Sequence, residues 1–289
     1  MYFIVDTDKN FVKPLAVTFY SITKHTHSDE KNIFFLIQYN DKKLPNEDIV
    51  FLKKYIRKQD KIECIVVPHH IDGSITGKWS DQVLLKIIGL YYLPDYVDRI
   101  FHIDGDAIVV DDITEFYYSE KLLTYTLLGT KEVLDIQKER NQLYGLKDDL
   151  YLCAGVIMIN VKLFLKKFPT IESFNNEIKN VKYEIRASDQ DFLNTFFDGE
   201  KTCWETDQYM RFALLYLIHD KSYLSKKISI IHYAGIAKPW KPDRRLHYRI
   251  KYWKYGIRIF GIFYYIKYLF KRLIWFIKYC FNKVFGKNK

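Results

Sequence analysis

The sequence has no acidic residue after Asp243, although thirteen of its 45 lysines and arginines lie in residues 244–289. The preceding 243 residues hold 32 bases against 35 acids, so the formal charge of +10 comes from one terminal segment attached to a slightly acidic body. Cysteine is sparse. Cys64, Cys153, Cys203 and Cys280 form no CxxC pair and no dense framework, which excludes a disulfide scaffold and a structural zinc site and fits reduced thiols in the cytoplasm. Long apolar runs are missing too. The longest uncharged run of the basic segment, residues 259–266, falls far short of the roughly 20 residues that a spanning helix needs. Asp6 interrupts the N-terminal apolar stretch before a signal peptide could form, so no secretion is expected. Repeats, low-complexity linkers and a Gly-rich triphosphate loop are all absent.

What is present is a globular composition, 48% hydrophobic, ample for a core. Short β-rich runs alternate with helical patterns: strands at 2–5, 33–38 and 61–67, helices at 14–24 and 46–58. A helix at 80–93 then leads into a strand at 99–110. That order predicts βαβ units and a largely parallel sheet. Further strands are predicted at 123–129 and 151–161, with helices at 162–168, 171–182 and from 188 to 194, the last capped by Ser188 or Asp189. Pro239, Pro242 and the Asp243-Arg244-Arg245 cluster mark the expected end of a body at 1–243.

Two segments about 130 residues apart concentrate the chemistry. Asp104-Gly105-Asp106 interrupts the apolar 99–110 strand, and carboxylates two apart in extended chain project to one side, where they can hold a hard divalent ion. Residues 231–240 offer His232 as a nitrogen ligand, Gly235 for close backbone approach and Lys238 as a point charge for phosphate. Mixed oxygen and imidazole ligation suits Mn²⁺ or Mg²⁺ carrying a diphosphate. Asp6 and Asp8 also fall at a strand end, and ligands of parallel sheets bind beyond such ends, so both acidic turns are expected to face one cleft.

Four blocks together resemble the family 8 glycosyltransferases, retaining metal-dependent sugar transferases. They are Thr7-Asp8-Lys9-Asn10-Phe11; Ile103-Asp104-Gly105-Asp106; Ala154-Gly155-Val156 and Ile159-Asn160 with Asp189-Gln190-Asp191 and Asn194; and His232, Gly235 and Lys238-Pro239-Trp240. The similarity covers most of residues 1–240. It implies a GT-A fold, a nucleotide-binding α/β sheet flanked by helices. Asp104, Asp106 and His232 are implied to hold Mn²⁺, or Mg²⁺, while Lys238 and the Gly235 backbone neutralise the diphosphate leaving from a UDP-sugar. Asp8 is implied to meet the uracil edge or ribose, with Asn10 supporting the base and Phe11 stacking on it. Asp189 and Gln190 lie where the family places groups beside the donor sugar. The amide of Gln190 is not basic, so in the implied mechanism the acceptor hydroxyl attacks from the leaving-group face and a diphosphate oxygen takes its proton. The expected donor is UDP-galactose or UDP-glucose and the expected acceptor a saccharide of a lipid-linked surface glycan. Three positions depart from the family pattern. Cys153 stands where asparagine is usual, Lys86 where arginine is usual, and Asp6 where a small apolar residue is common. They predict a shifted substrate preference or weaker activity.

Beyond residue 245 aromatic and aliphatic residues interleave with lysine and arginine. Lys267, Lys271 and Lys278 share one helical face whereas Lys251, Lys254 and Arg258 share another, which predicts two amphipathic helices with a bend near 256–261. Such a tail, 244–289, fits the interface of an anionic bilayer and makes the protein peripheral on the inner face of the cell membrane. Basic and aromatic residues can also hold nucleic-acid strands, but no RNA-binding motif accompanies them and no nucleic-acid partner is expected. Two other classes compete with the transferase: a nonenzymatic sugar-nucleotide-binding or assembly subunit, and a metal-dependent nucleotidyltransferase.

Overall fold

The computed structural model describes residues 1–68, 81–181, 184–214, 224–242 and 246–285. Ten strands are described: β1 Tyr2–Asp6, β2 Ile33–Tyr39, β3 Lys61–Val67, β4 Arg99–Ile103, β5 Ala107–Val109, β6 Leu127–Lys131, β7 Leu152–Asn160, β8 Lys201–Cys203, β9 Arg211–Phe212 and β10 Ile230–His232. The helices are α1 Val12–His25, α2 Asn46–Lys53, α3 Leu85–Ile88, α4 Thr114–Tyr117, α5 Lys121–Thr124, α6 Leu134–Tyr144, α7 Val161–Lys167, α8 Ile171–Lys179, α9 Ser188–Phe196, α10 Arg249–Phe260 and α11 Ile262–Phe285. Ser80, the start of one expected helix, Lys182, the end of another, and the Asp243-Arg244-Arg245 cluster lie outside the described residues.

Seven strands form one sheet in the order β3-β2-β1-β4-β7-β6-β8. The β1–β4 half is parallel as the βαβ pattern requires, but β7 runs antiparallel to both β4 and β6, so the sheet is mixed. Alternation along β1 sends Phe3 and Val5 into the core under α1 and α10, and Ile4 into the core under α3, α7, α8 and α9. β7 is apolar nearly throughout because helices cover both of its faces.

Four expected elements differ. The apolar run at 99–110 is two strands in different sheets: β4 belongs to the large sheet, while β5 pairs with β10 and β10 with β9 in a small one. Asp104-Gly105-Asp106 is the turn between them, closed by the Ala107 amide donating to the Asp104 carbonyl at 3.0 Å. The helix expected through 93 is broken into 3₁₀ turns at Asp81–Leu84 and Gly89–Tyr92 around the single turn of α3. Gly89 lies so tight on the sheet that a Cβ would fall 2.7 Å from Ile37 Cγ1, and packing against β1 and β2 outweighs the regular helix. α2 stops at Lys53 rather than 58, because Arg57 reaches the carbonyls of Thr26, His27 and Glu30 and pairs with Asp60. Residues 121–124 are helical, and the strand expected there starts at Leu127.

The tail forms two helices, broken at Gly261 with φ +87°. The core continues past residue 243: Tyr252, Trp253, Tyr255 and Ile259 of α10 are buried in the same cluster as Phe3 and Leu15. α11 instead leaves Phe263, Phe270 and Phe281 exposed. Among the described residues no helix is long and apolar enough to cross a membrane.

Candidate active site

The antiparallel register of β5 and β10 sets His232 opposite Ala107, directly beside the acidic turn. His232 Nε2 lies 3.1 Å from Asp106 Oδ1 and 3.4 Å from Asp104 Oδ2. One ligand atom from each of the three residues can be chosen so that all lie within 4.8 Å of one another. The expected ligand set is thus brought together, by a turn and not by the extended chain that its spacing suggested. Gly155 of β7 supplies the space. A Cβ there would fall 2.3 Å from His232 Cε1 and 2.6 Å from Asp104 Oδ2, and the Gly155 carbonyl accepts from the Asp104 amide at 2.8 Å. Two carboxylates and an imidazole at this separation form a donor set that fits Mn²⁺ or Mg²⁺.

Burial works against charge on all three groups, yet their mutual attraction prevails. The carboxyl of Asp104 is held well below its usual range, mainly by Lys86 and by hydrogen bonds from His102 and His232, and that of Asp106 is lowered by His232 and Lys238. The pKa of His232 is raised well above its ordinary value by Asp106 and by hydrogen bonds to both carboxylates. Lys238 donates to Asp106 and to the Tyr233 carbonyl, the latter at 3.0 Å. Gly235, at φ +77°, occupies a left-handed conformation suited to glycine in the loop between His232 and Lys238.

Lys86 sits in a second charge cluster touching the first. Its Nζ lies 2.8 Å from Asp189, 2.9 Å from His102 Nε2 and 3.8 Å from Asp104. Burial opposes its charge, but Asp189, Asp104 and Asp6 outweigh that cost and raise its pKa. Asp6 is less favoured, its carboxyl pushed up by burial despite Lys86 and His102. His102 Nδ1 donates to the Ile4 carbonyl at 3.1 Å, and its Nε2 lies 2.9 Å from both Lys86 Nζ and Asp104 Oδ1.

Gln190 is held from both ends of its amide. Its Oε1 accepts from the Ala154 amide at 2.9 Å, and its Nε2 donates to Glu132 Oε2 at 3.1 Å. Asp191 accepts from Tyr151 Oη at 2.5 Å and from the amides of Arg186 and Ala187, both at 2.6 Å. Asn194 grips Leu152 by both its amide and its carbonyl. These bonds fasten the start of α9 to β7 and leave Ser188 buried at φ +36°. Cys153, the departure from asparagine, packs its sulfur 3.9 Å from His232 Nδ1, and burial pushes the thiol pKa up.

The first block lies apart from these contacts. Asp8 Oδ1 accepts from the amides of Asn10, at 2.6 Å, and Phe11, at 3.2 Å, and so shapes the turn into α1. The Phe11 ring meets Trp240 edge-on at 5.7 Å, joining the first and last blocks.

Sequence reasoning missed Glu132 and His102. Glu132 follows β6, and an acid just beyond a strand end was the available signal. His102 lies two residues before Asp104, where period-two alternation places both on one side.

A central mixed sheet flanked by helices is the architecture of the GT-A glycosyltransferase fold. The structure of galactosyltransferase LgtC in complex with donor and acceptor sugar analogs matches 91% of this chain and 97% of its own, at a TM-score of 0.71 and 19% identity. The bifunctional glycosyltransferase WbbM matches 94% of this chain and 51% of its own, at a TM-score of 0.74 and 17% identity. General stress protein A of Bacillus subtilis (strain 168) is 22% identical over 275 residues, spanning 88% of this chain and 92% of that protein. The family described as Glycosyl transferase family 8 matches residues 3–244, and the chain belongs to it. Its activity class is glycosyl transfer.

Proposed function

We propose that the protein is a retaining hexosyltransferase that moves galactose or glucose from a UDP-sugar to a saccharide on a lipid anchor. The observation that carries this reading is the convergence of Asp104, Asp106, His232 and Lys238 beyond the sheet's strand ends. Asp104, Asp106 and His232 would hold Mn²⁺ or Mg²⁺, which when bound neutralises charge on the departing diphosphate. His232 must give up its proton to ligate. Lys238 would exchange Asp106 for a diphosphate oxygen, supplying positive charge where negative charge develops. Asp8, with Oδ1 committed to the turn, offers Oδ2 to the nucleoside, and Gly235 offers its backbone to the diphosphate. Asn10 would support the base and Phe11, seated on Trp240, would stack on it.

Lys86 and Asp189 form a preorganised ion pair for the donor sugar hydroxyls. Gln190, fixed between Ala154 and Glu132, would act as a polar neighbour of the reacting carbon. Its amide accepts no proton, so the acceptor hydroxyl's proton goes to the diphosphate. Peripheral attachment to the inner face of an anionic membrane is assigned to α11, whose exposed apolar residues are flanked by lysines.

Calorimetry with UDP-galactose and UDP-glucose tests the donor site: binding should require Mn²⁺ and vanish in Asp106→Asn. A donor and acceptor panel then tests transfer, with the variant slower by at least about a hundredfold. Metal-independent binding, or pyrophosphate release in place of UDP release, would defeat the reading.

A further inference from the structure

Lys267 and Lys271 of α11 meet no carboxylate among the described residues. Together with Trp240, Pro242, Tyr264 and Tyr268 they line a cavity of about 180 Å³ between α11 and the turn after Lys238. Like charges four apart on a helix repel, so the pair is unfavourable until an anion sits between them. The wall opposite is fixed from behind. Arg249 Nη1 donates to the carbonyls of Pro239, at 2.9 Å, and Lys241, at 2.5 Å, and to Tyr268 Oη at 2.8 Å, while Trp253 Nε1 and Arg272 Nη1 reach the carbonyls of Pro239 and Pro242. The slot is therefore preformed, with the carbonyls of Pro239, Lys241 and Pro242 already occupied.

Its position has a direction. By the helical repeat Lys267, Lys271 and Lys278 form one row on α11. On one side of that row lie Tyr268 and Arg272, turned toward the body; on the other lie Phe263, Phe270 and Ile277, 85%, 64% and 58% exposed. The row thus runs along the border between protein and apolar face, at the level where headgroups lie when that face enters a bilayer. Trp240 joins the slot to the first sequence block: it also lines a second cavity, of about 480 Å³, with Lys9, Asn10 and Lys13, and it follows Lys238 by two residues.

We propose that this slot binds a phosphoryl group, and that the group is a phosphate on the lipid anchor of the acceptor. The proposal rests on the reading of the acceptor as lipid-linked. Two ammonium groups supply donors for the phosphate oxygens, and the aromatic walls limit the water that would weaken the contact. An anchor held there points its glycan past Trp240 toward the metal site.

The test uses the full chain and phosphatidylcholine vesicles doped with either phosphatidic acid, a phosphomonoester, or phosphatidylglycerol at matched surface charge. The wild type should prefer the monoester by about tenfold, the worth of one additional charge-assisted hydrogen bond. K267Q/K271Q should lose that preference. K254Q/K278Q, which removes the same charge elsewhere, should keep it while binding both vesicles more weakly. Equal loss of preference in both variants, or no preference in the wild type, overturns the proposal. Protection of the slot by inorganic phosphate without a vesicle preference overturns the lipid source and identifies a site for free phosphate. Binding of UDP with Mn²⁺, measured alongside, should be unchanged in both variants. Its absence from the wild type would count against the donor reading and leave the vesicle result standing.

Discussion

Gly155 leaves the two groups beside it almost no slack, since the first atom of any side chain would overlap both His232 and Asp104. Gly155→Ala is therefore expected to lower Mn²⁺ affinity by more than tenfold, because ligand or strand must move, while the thermal midpoint falls by only a few degrees. Calorimetry and thermal melts of the same preparation check the two halves separately. The charge balance at the cluster gives a pH dependence. Without metal, His232 adds stability that is complete below its unfolded pKa of about 6.5 and fades as pH rises through its raised folded value. Asp104 and Asp106 add stability that is present above about 3.9 and fades as pH falls through their lowered values. The metal-free cluster thus stabilises most between these limits, and metal binding, which needs neutral imidazole, should tighten with rising pH and release a proton. Calorimetry in buffers of different ionisation enthalpy would detect that proton. The convergence of Asp104, Asp106 and His232 was legible because an acid pair, a histidine and a lysine in such blocks are types that cluster for few other reasons. Glu132 was not, because a single acid after an apolar strand resembles any solvated turn.

At the scale of elements, α9 shows how placement depends on bonds that leave no periodic trace. Asp191 satisfies three donors from Tyr151, Arg186 and Ala187, and together they set the loop that aims Asp189 and Gln190. Asp191→Ala would leave those donors without their charged acceptor. It should destabilise the fold by about 3 kcal/mol or more, and denaturant unfolding measures it. Transfer should also fall among molecules that remain folded. Strands and helices with a clear apolar period, such as β1, α1, β2, β3 and β7, were readable from sequence. The segments read wrongly are those where tertiary contact overrides local pattern: Gly89 pressed onto Ile37, Arg57 tied to the 26–30 loop, and the acidic turn that ends β4 and passes the chain to a second sheet. Period two cannot reveal that β4 and β5 belong to different sheets, because both are almost wholly buried.

For the whole molecule, composition separated a basic tail from an acidic body, but packing divides the tail differently. α10 buries Tyr252, Trp253, Tyr255 and Ile259 against α1, whereas α11 keeps a broad apolar face outside. At roughly 2 kcal/mol for each buried side chain, α10 supplies on the order of 8 kcal/mol, comparable with the net stability of a typical domain. Truncation after residue 242 should therefore yield insoluble or unfolded protein. Truncation after Gly261 should fold, bind UDP with Mn²⁺ and no longer sediment with anionic vesicles. Circular dichroism and vesicle sedimentation of the two truncated chains decide both points.

The register that sets His232 beside Ala107 joins residues separated by more than a hundred positions, and this has a consequence for a chain made from its N-terminus onward. β1 to β4 can begin to pair before the later strands are made, but the imidazole and Lys238 follow only after β8. Until then the acidic turn stands exposed without its partners, and a nascent chain stalled before residue 232 carries two carboxylates and no finished ion site. The candidate ligand set is therefore complete only after every strand of the large sheet has been made, shortly before the helix proposed to meet the membrane.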